Sequence, residues 1–308
     1  MKDYSIENLP IATEEEIRKK NLECKSIIKN FSEITSFLKD NNNKQKQALR
    51  EHFVPTPYFE IYNLKFKWIE LVNVITSAVF KNRVGRQMKF LVKDKNYNFI
   101  YGLVQCSSPL MNRKINEYFR IKFNRSVRYK DLNDNFIDVS TCIGTGILAK
   151  YLSGKLIILM TLSNYIKNLW DSKYKTDITF IITTALYGKA SIYNRVKNFK
   201  YLGLSAGYNA LFTTEQLNWI KTSYKKVFPN RIKTKKAKAP HIMRHYEHLF
   251  RYYNAKMPFY PLKTRRGVYI CNILDDIQSQ INYWLSRWYY PRKKRIEEGL
   301  IKGVKGVK

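Results

Sequence analysis

ITFIITTALYGKASIYNRVKNFKYLGLSAGYN, residues 178–209, is the stretch on which the fold turns. Ile178 to Thr184 are nearly all β-branched, and such side chains suit a pleated, buried surface, so a central strand is predicted there. Tyr187-Gly188 then makes a turn. Ser191–Asn198 forms a short helix carrying Ser191, Tyr193 and Asn194, and Phe199–Leu204 a following strand, closed by Gly203 and Gly207. Strand, turn, helix and strand in such short compass are at odds with a helical bundle and with an all-β barrel.

The flanking sequence extends this pattern. Met88–Val92 and Phe99–Val104 are short apolar runs separated by Asp94-Lys95-Asn96-Tyr97-Asn98, the spacing of a β-hairpin. Phe136–Cys142 reads as a strand, Leu156–Trp170 as one helix, Ile242–Tyr253 as a helix and Gly267–Ile273 as a late strand. The fold class is therefore α/β (α+β), a mixed sheet with flanking helices, preceded by a small helical region. In that region Thr13-Glu14-Glu15-Glu16 has the capping-box spacing, and Ile27, Phe31, Ile34 and Leu38 continue a helix over 13–39. Asp40–Asn43 is expected to stop it, with a second helix over Lys44–Phe53 before the breaker Pro55-Thr56-Pro57. Three regions follow: a helical part at 1–80, a basic α/β domain at 81–275, and a basic, aromatic helix and tail at 276–308.

Charge sets the class of partner. The 308 residues hold 56 Lys+Arg against 24 Asp+Glu, a formal charge of +32. Residues 1–80 carry 12 basic and 11 acidic side chains, and residues 81–308 carry 44 and 13. No acid lies from Gln216 to Tyr246, a span that contains Lys221, Lys225, Lys226, Arg231, Lys233, Lys235, Lys236, Lys238 and Arg244. Further cations stand at Arg265 and Arg266 before the last strand, and at Arg292, Lys293, Lys294 and Arg295 near the end. A fold with this excess repels itself unless a polyanion neutralises it, so nucleic acid is the expected partner, DNA before RNA. An anionic membrane surface, an acidic protein and the Lys- and Tyr-rich habit of AT-rich coding are the alternatives. Trp284 and Trp288 fit either base stacking or an apolar stripe on a packed terminal helix.

Other classes lack their signatures. At 44% apolar residues the chain is not a disordered basic tail, and runs such as Leu156–Met160 are too short to cross a bilayer. MKDYSIENLP has no signal-peptide profile, so a cytoplasmic, nucleoid-associated location is expected. Cys24, Cys106, Cys142 and Cys271 form no C-x-x-C, which indicates neither a disulfide framework nor a zinc knuckle. His241 and His245 share a helical spacing with His248 nearby, but there is no H-E-x-x-H glutamate and the neighbours Arg244 and Arg251 are cationic, so no metal is expected.

The segment 178–209, with Gly188, Ile192-Tyr193, Phe199 and Gly203, resembles the Mom family of phage DNA-modification proteins and is equally similar to the DruA family, named after the Druantia anti-phage system. Both are regarded as relatives of the GCN5-type N-acetyltransferase fold. Gly85–Val92 with Gly102–Pro109 is similar to the family's first hairpin, Asp138–Thr141 through Ala149–Leu156 to its next strand, loop and helix, and Pro258–Ile270 with Lys263-Thr264-Arg265-Arg266 to its closing part.

The resemblance implies either a DNA base-modification enzyme of acyltransferase type, with acyl-CoA as the donor, or a DruA-like nucleic-acid-binding component without transferase chemistry. A basic virion or assembly protein is a third class. In an acetyltransferase an R/Q-x-x-G-x-G/A loop holds the pyrophosphate on backbone N–H groups. Here Lys150–Leu156 keeps Gly154 and lacks the second glycine, which weighs against acyl-CoA. An enzyme of this type needs a base and donors for a developing oxyanion. Asp138 is assigned as the base and Tyr193 as proton donor or substrate holder. Ser140, Gly154, Lys155, Thr184, Tyr187, Gly188 and Asn194 are assigned to substrate or cofactor, and the cations named above to nucleic acid.

Overall fold

The structure is a computed structural model and describes residues 28, 30–76, 85–109, 113–125, 128–151, 155–185, 188–205, 214–229, 242–254 and 266–300. The chain divides into two compact units: a main unit of Cys24–Ala206 with Arg265–Lys308, and a second of Met1–Glu23 with Gly207–Thr264.

The main unit opens with α1 (Phe31–Arg50). This helix runs straight through Asp40-Asn41-Asn42-Asn43, where the sequence predicted a stop; residues 13–27 lie outside the described part. The reason is that polar side chains of this stretch and the next turn have buried partners. Asn41 Oδ1 accepts from Ile100 N at 2.6 Å and its Nδ2 donates to Ile100 O at 3.1 Å. Gln45, fully buried, donates to the carbonyls of Ile100 and Thr145 and accepts from Leu148 N at 3.0 Å. A helix breaker in an isolated peptide has become a docking device, because each buried amide left unpaired would cost about 1–3 kcal/mol. Gly146 is part of the fit: its φ is +66° and a Cβ would overlap the Gln45 side chain.

Beyond α1 come β1 (Pro57–Ile61), α2 (Trp68–Ile75), and the predicted hairpin of β2 (Gln87–Asp94) and β3 (Ile100–Ser107). Pro57, expected only as a breaker, begins an edge strand, where a missing N–H is tolerated. Asp94 organises the hairpin turn. Its carboxylate accepts from the backbone N of Asn96, Tyr97 and Thr56, and from the Tyr101 hydroxyl at 2.8 Å.

Next are α3 (Arg113–Phe123), α4 (Tyr129–Asn135), β4 (Phe136–Gly144), α5 (Gly146–Tyr151), α6 (Lys155–Thr161), α7 (Asn164–Tyr174), β5 (Phe180–Ala185), α8 (Ser191–Asn194) and β6 (Lys200–Leu204). The helix predicted over Leu156–Trp170 is two, α6 and α7. They part at Leu162-Ser163 because Leu162 O accepts from Leu274 N at 2.8 Å and Ser163 bridges to Leu274.

In the second unit, α9 (Thr214–Val227) packs on α10 (Ile242–Tyr252), burying Ile220, Tyr224, Leu249 and Phe250. The main unit resumes with β7 (Gly267–Asn272), followed by α11 (Ile277–Trp284), a π-helical turn at Leu285–Tyr289, and α12 (Tyr290–Glu297).

The sheet has seven strands among the described residues, in the order β1-β2-β3-β4-β5-β7-β6. All neighbours are antiparallel except β4 and β5, which are parallel. Strand alternation sorts the main core. One face of the sheet carries Phe90, Val104, Ile137, Val139, Ile181 and Tyr269 against α6, α7 and α11. The opposite face carries two separate apolar patches. Leu91 and Leu103 pack with Ile34, Leu71 and Val72, whereas Phe136, Phe180, Ile182 and Val268 pack with Ile115, Phe119 and Leu132.

Candidate functional site

Between those two patches the same face turns polar. Cross-strand register places Lys89, Gln105 and Thr141 in one row, and Gln87, Ser107 and Asp138 in the next. Gln105, Ser107, Asp138 and Thr141 are all buried. Gln105 Nε2 donates to Gln87 Oε1 at 3.1 Å, Ser107 Oγ and Ser140 Oγ share a hydrogen bond of 2.6 Å, and Ser140 Oγ donates to Gln105 O at 3.2 Å. The Lys89 ammonium lies 5.8 Å from the Trp68 ring, and burial pushes its pKa down.

Two irregularities coincide at this band. The β3–β4 register shifts between Gln105 and Cys106, so that Ser140 is skipped in the pairing with β3. Pairing of β4 with β5 ends at Val139 with Thr183, although β4 continues to Gly144 beside β3 and β5 to Ala185 beside β7. A bulge re-aims a side chain. Two parallel strands that part at their carboxyl ends open a crevice of the kind that receives ligands in open α/β sheets. The arrangement offers hydroxyl and amide groups and one carboxylate within a few residues of that opening.

The candidate residues divide between the two sides of the sheet. Asp138 and Thr184 alternate with Ile137, Val139, Ile181 and Thr183, and so belong with Ser140 to the polar face. Tyr193 sits in the core of the other face, its hydroxyl 3.5 Å from Thr183 Oγ1, which donates to Val139 O at 2.9 Å. Burial holds its phenol well above the ordinary range, with smaller contributions from Cys142 and Asp138. Asn194 accepts at 2.8 Å from the Tyr269 hydroxyl, which in turn accepts from Ala190 N. Gly188 has φ +80° and its carbonyl lies so close to Gly267 that a Cβ there would overlap it. Lys155 is buried beside Trp288. Gly154 and Tyr187 lie outside the described residues.

Five members of the band are not among the assigned site residues: Gln87 and Lys89 on β2, Gln105 and Ser107 on β3, and Thr141 on β4. The signal that could find the first four is strand alternation, since Gln87 and Lys89 occupy every second position at the start of QMKFLVKD, and Gln105 and Ser107 do so at the end of IYGLVQCS. Burial pushes the Cys142 thiol up to about 12 and the Cys106 thiol higher still, so neither supplies a thiolate nucleophile at neutral pH.

Of the Lys150–Leu156 segment read against the pyrophosphate loop, residues 152–154, with Gly154, lie outside the described residues. In the turn that precedes it, Thr145 N donates to Tyr101 O at 2.8 Å and Leu148 N to Gln45 Oε1, so those two backbone donors are already engaged. The Gln45 side chain fills the space against Gly146.

Of the predicted nucleic-acid contacts, Lys221, Lys225 and Lys226 are exposed on α9. Arg292 and Lys293 are half-buried, and Lys294 and Arg295 are exposed on α12, where Lys293 and Lys294 approach Glu297 and Glu298. Arg266 is half-buried before β7. Arg231, Lys233, Lys235, Lys236, Lys238, Arg265 and the Arg244 side chain lie outside the described part, as does His241. In the second unit the His245 ring stacks on Tyr224 at 3.9 Å and His248 Nδ1 is 3.2 Å from the Tyr224 hydroxyl. No group of metal-ligating side chains occurs among the described residues. Trp284 is a core residue of the main unit, 1% exposed.

No curated protein and no solved structure matches the chain. The sequence model of the DruA family, described as Druantia protein DruA, matches residues 10–236. With that span covering most of its length, the chain belongs to the DruA family.

Proposed function

We propose that this chain is the nucleic-acid-binding component of an anti-phage defence system. Family membership supports the defence role. The observation that carries the ligand class is the cation distribution: Lys221, Lys225 and Lys226 are exposed on α9, at the start of a span from Gln216 to Tyr246 without an acid. Lys221 and Lys225 share a helix face, and such lysines contact phosphates without reading bases. Affinity should therefore come from counterion release. Anisotropy of a labelled duplex, titrated with the full chain at about 50 and about 200 mM salt, tests this: affinity should fall steeply, by roughly tenfold or more. A flat response overturns the proposal.

A second reading, chemical modification of a base, is supported by the polar band. Asp138 and the hydroxyls of Ser107, Ser140 and Thr141 make a donor and acceptor set suited to the edge of an extruded base. The single parallel pair and the bulge in β4 are in keeping with an acetyltransferase-like sheet. In this reading Asp138 takes up the proton that the base amine gives up on reaction, while Tyr193, in the core of the opposite face, supports β5 through Thr183 and not the base itself. Nucleosides from DNA made with and without the protein, compared by mass spectrometry, decide it; an unchanged profile removes this reading and leaves the first standing.

A further inference from the structure

We propose that the carboxyl ends of α9 and α10 form a stacking platform for unpaired bases, so that the form of nucleic acid this chain prefers is single-stranded. The inference rests on the phosphate-binding reading above and adds a substrate form to it. Lysines along a helix hold any polyanion, whereas ring faces hold bases only where these are free of a duplex stack.

Ring contacts fix how the two helices run. Tyr224 stacks on His245 with ring centres 3.9 Å apart, and four residues later Phe228 meets Tyr252 edge-to-face at 5.6 Å. Both steps go forward along the chain, so the helices run side by side in one direction and end together. The backbone carries each end a little further: Phe228 N donates to Tyr224 O at 2.8 Å, and Tyr253 N to Leu249 O at 3.0 Å. Asn254, in the left-handed region at φ +51°, stops the second helix.

A row of rings leads outward from the seam. Tyr224 is buried, Phe228 is half-buried and 4.9 Å from it, and Tyr252 and Tyr253 are 60% and 49% exposed with ring centres 5.1 Å apart. The planes of Phe228 and Tyr252 stand at 76° and those of the two tyrosines at 87°, so each outer ring is braced by its neighbour. Tyrosine has few torsions to freeze, and a braced ring loses little freedom when a base lies on it.

The cations around the rings give the class of partner. Lys221 and Lys225 lie on the side of α9 that carries Tyr224 and Phe228, and Arg251 precedes Tyr252 on α10; all three are exposed. Cations near a helix carboxyl end also serve its dipole, so the amounts decide. Two such ends carry about one negative charge between them, whereas Lys225, Lys226 and Arg251 in the last turns supply three positive ones. The excess suits a polyanion. A lipid surface would take up an apolar stripe along a helix, whereas the exposed large apolar side chains among the described residues of this pair are gathered at one end.

The test titrates the full chain, by anisotropy, with a labelled oligo-dT, an abasic single strand of the same length, and a duplex. The two single strands carry the same phosphates and differ only in bases. The dT strand should bind about tenfold tighter, and because stacking is not ionic that ratio should hold between about 50 and about 200 mM salt. Tyr252→Ala combined with Tyr253→Ala should abolish the advantage, whereas Tyr252→Phe with Tyr253→Phe keeps the rings and should preserve it; circular dichroism checks that both variants retain their helices. Equal binding of the dT and abasic strands by the parent chain, or an advantage that survives the alanine pair, overturns the platform. Duplex affinity reports on backbone binding by itself. Steeply salt-dependent duplex binding without a base advantage sinks this inference and leaves the proposed function standing, and no binding to any of the three probes removes both.

Discussion

The hydroxyl oxygens of Ser107 and Ser140 stand 2.6 Å apart, joining β3 to the residue of β4 that the β3 register skips. The bond fastens the bulge to the polar band, and so fixes the direction of the Ser140 side chain next to the point where β4 and β5 separate.

Removing either hydroxyl should therefore cost about 0.5–1.5 kcal/mol, the net worth of a typical intramolecular hydrogen bond. Because Ser107→Ala and Ser140→Ala break the same bond, the double variant should cost less than the sum of the two. Urea unfolding of all four proteins measures this, and strict additivity would mean the bond contributes nothing.

Gln45→Leu should be far more damaging than a polar residue in the middle of a polar run suggests. It leaves Leu148 N without its acceptor and Ile100 O and Thr145 O with fewer donors, a loss of roughly 2–4 kcal/mol. Lys44→Leu, one residue earlier and exposed, should stay within about 0.5 kcal/mol. Equal midpoints for the two variants in denaturant would refute the docking role of α1.

Stability of the helix pair should fall on mild acidification. Burial, and next to it His248, lower the pKa of His245. Its ring nitrogens are buried without a hydrogen-bond partner among the described residues. With the folded pKa below the unfolded one, the unfolded chain takes up a proton first as pH drops through about 6.5, so stability present above that value is lost below it. Hydrogen exchange of Thr214–Val227 and Ile242–Tyr252 at about pH 7.5 and pH 5.5 should reveal faster opening in acid, and His245→Phe should flatten the difference.

Replacing Lys221, Lys225 and Lys226 together by Gln should weaken DNA binding to a similar degree for every sequence tested. Each lost phosphate contact lowers the slope of log affinity against log salt by about 0.9, so the triple change should reduce it by roughly 2–3. An unchanged slope would move the phosphate contacts elsewhere on the chain.

Much of this fold is legible in sequence because its strands are apolar and short. The hairpin of β2 and β3, β5 with its β-branched run, and β7 all fall within a few residues of the segments read from periodicity. Legibility fails where tertiary partners override local preference. Asp40–Asn43 stays helical because Asn41 meets the backbone of a strand far along the chain, and Leu162-Ser163 interrupts a helix because Leu274 pairs there. At the site, Asp138 and Ser140 can be read from a strand edge, and alternation puts Gln87 with Lys89 and Gln105 with Ser107 on one face of their strands, but it does not tell that this polar face is covered. No local pattern marks a polar residue as buried when the side chain that pairs with it lies on another strand.

Order of synthesis gives the late segments a consequence for how the molecule is made. β7 fills the gap between β5 and β6, yet it leaves the ribosome only after the whole 207–264 excursion. Until then β5 presents an unpaired, apolar edge, the kind that recruits other chains. Closure waits longer still for Tyr289, whose hydroxyl donates to the Phe53 carbonyl at 2.8 Å across 236 positions of sequence. A chain interrupted before Gly267 would keep the β5 edge open, and one interrupted before Tyr289 would lack the bond that ties the later helical segment back to Phe53.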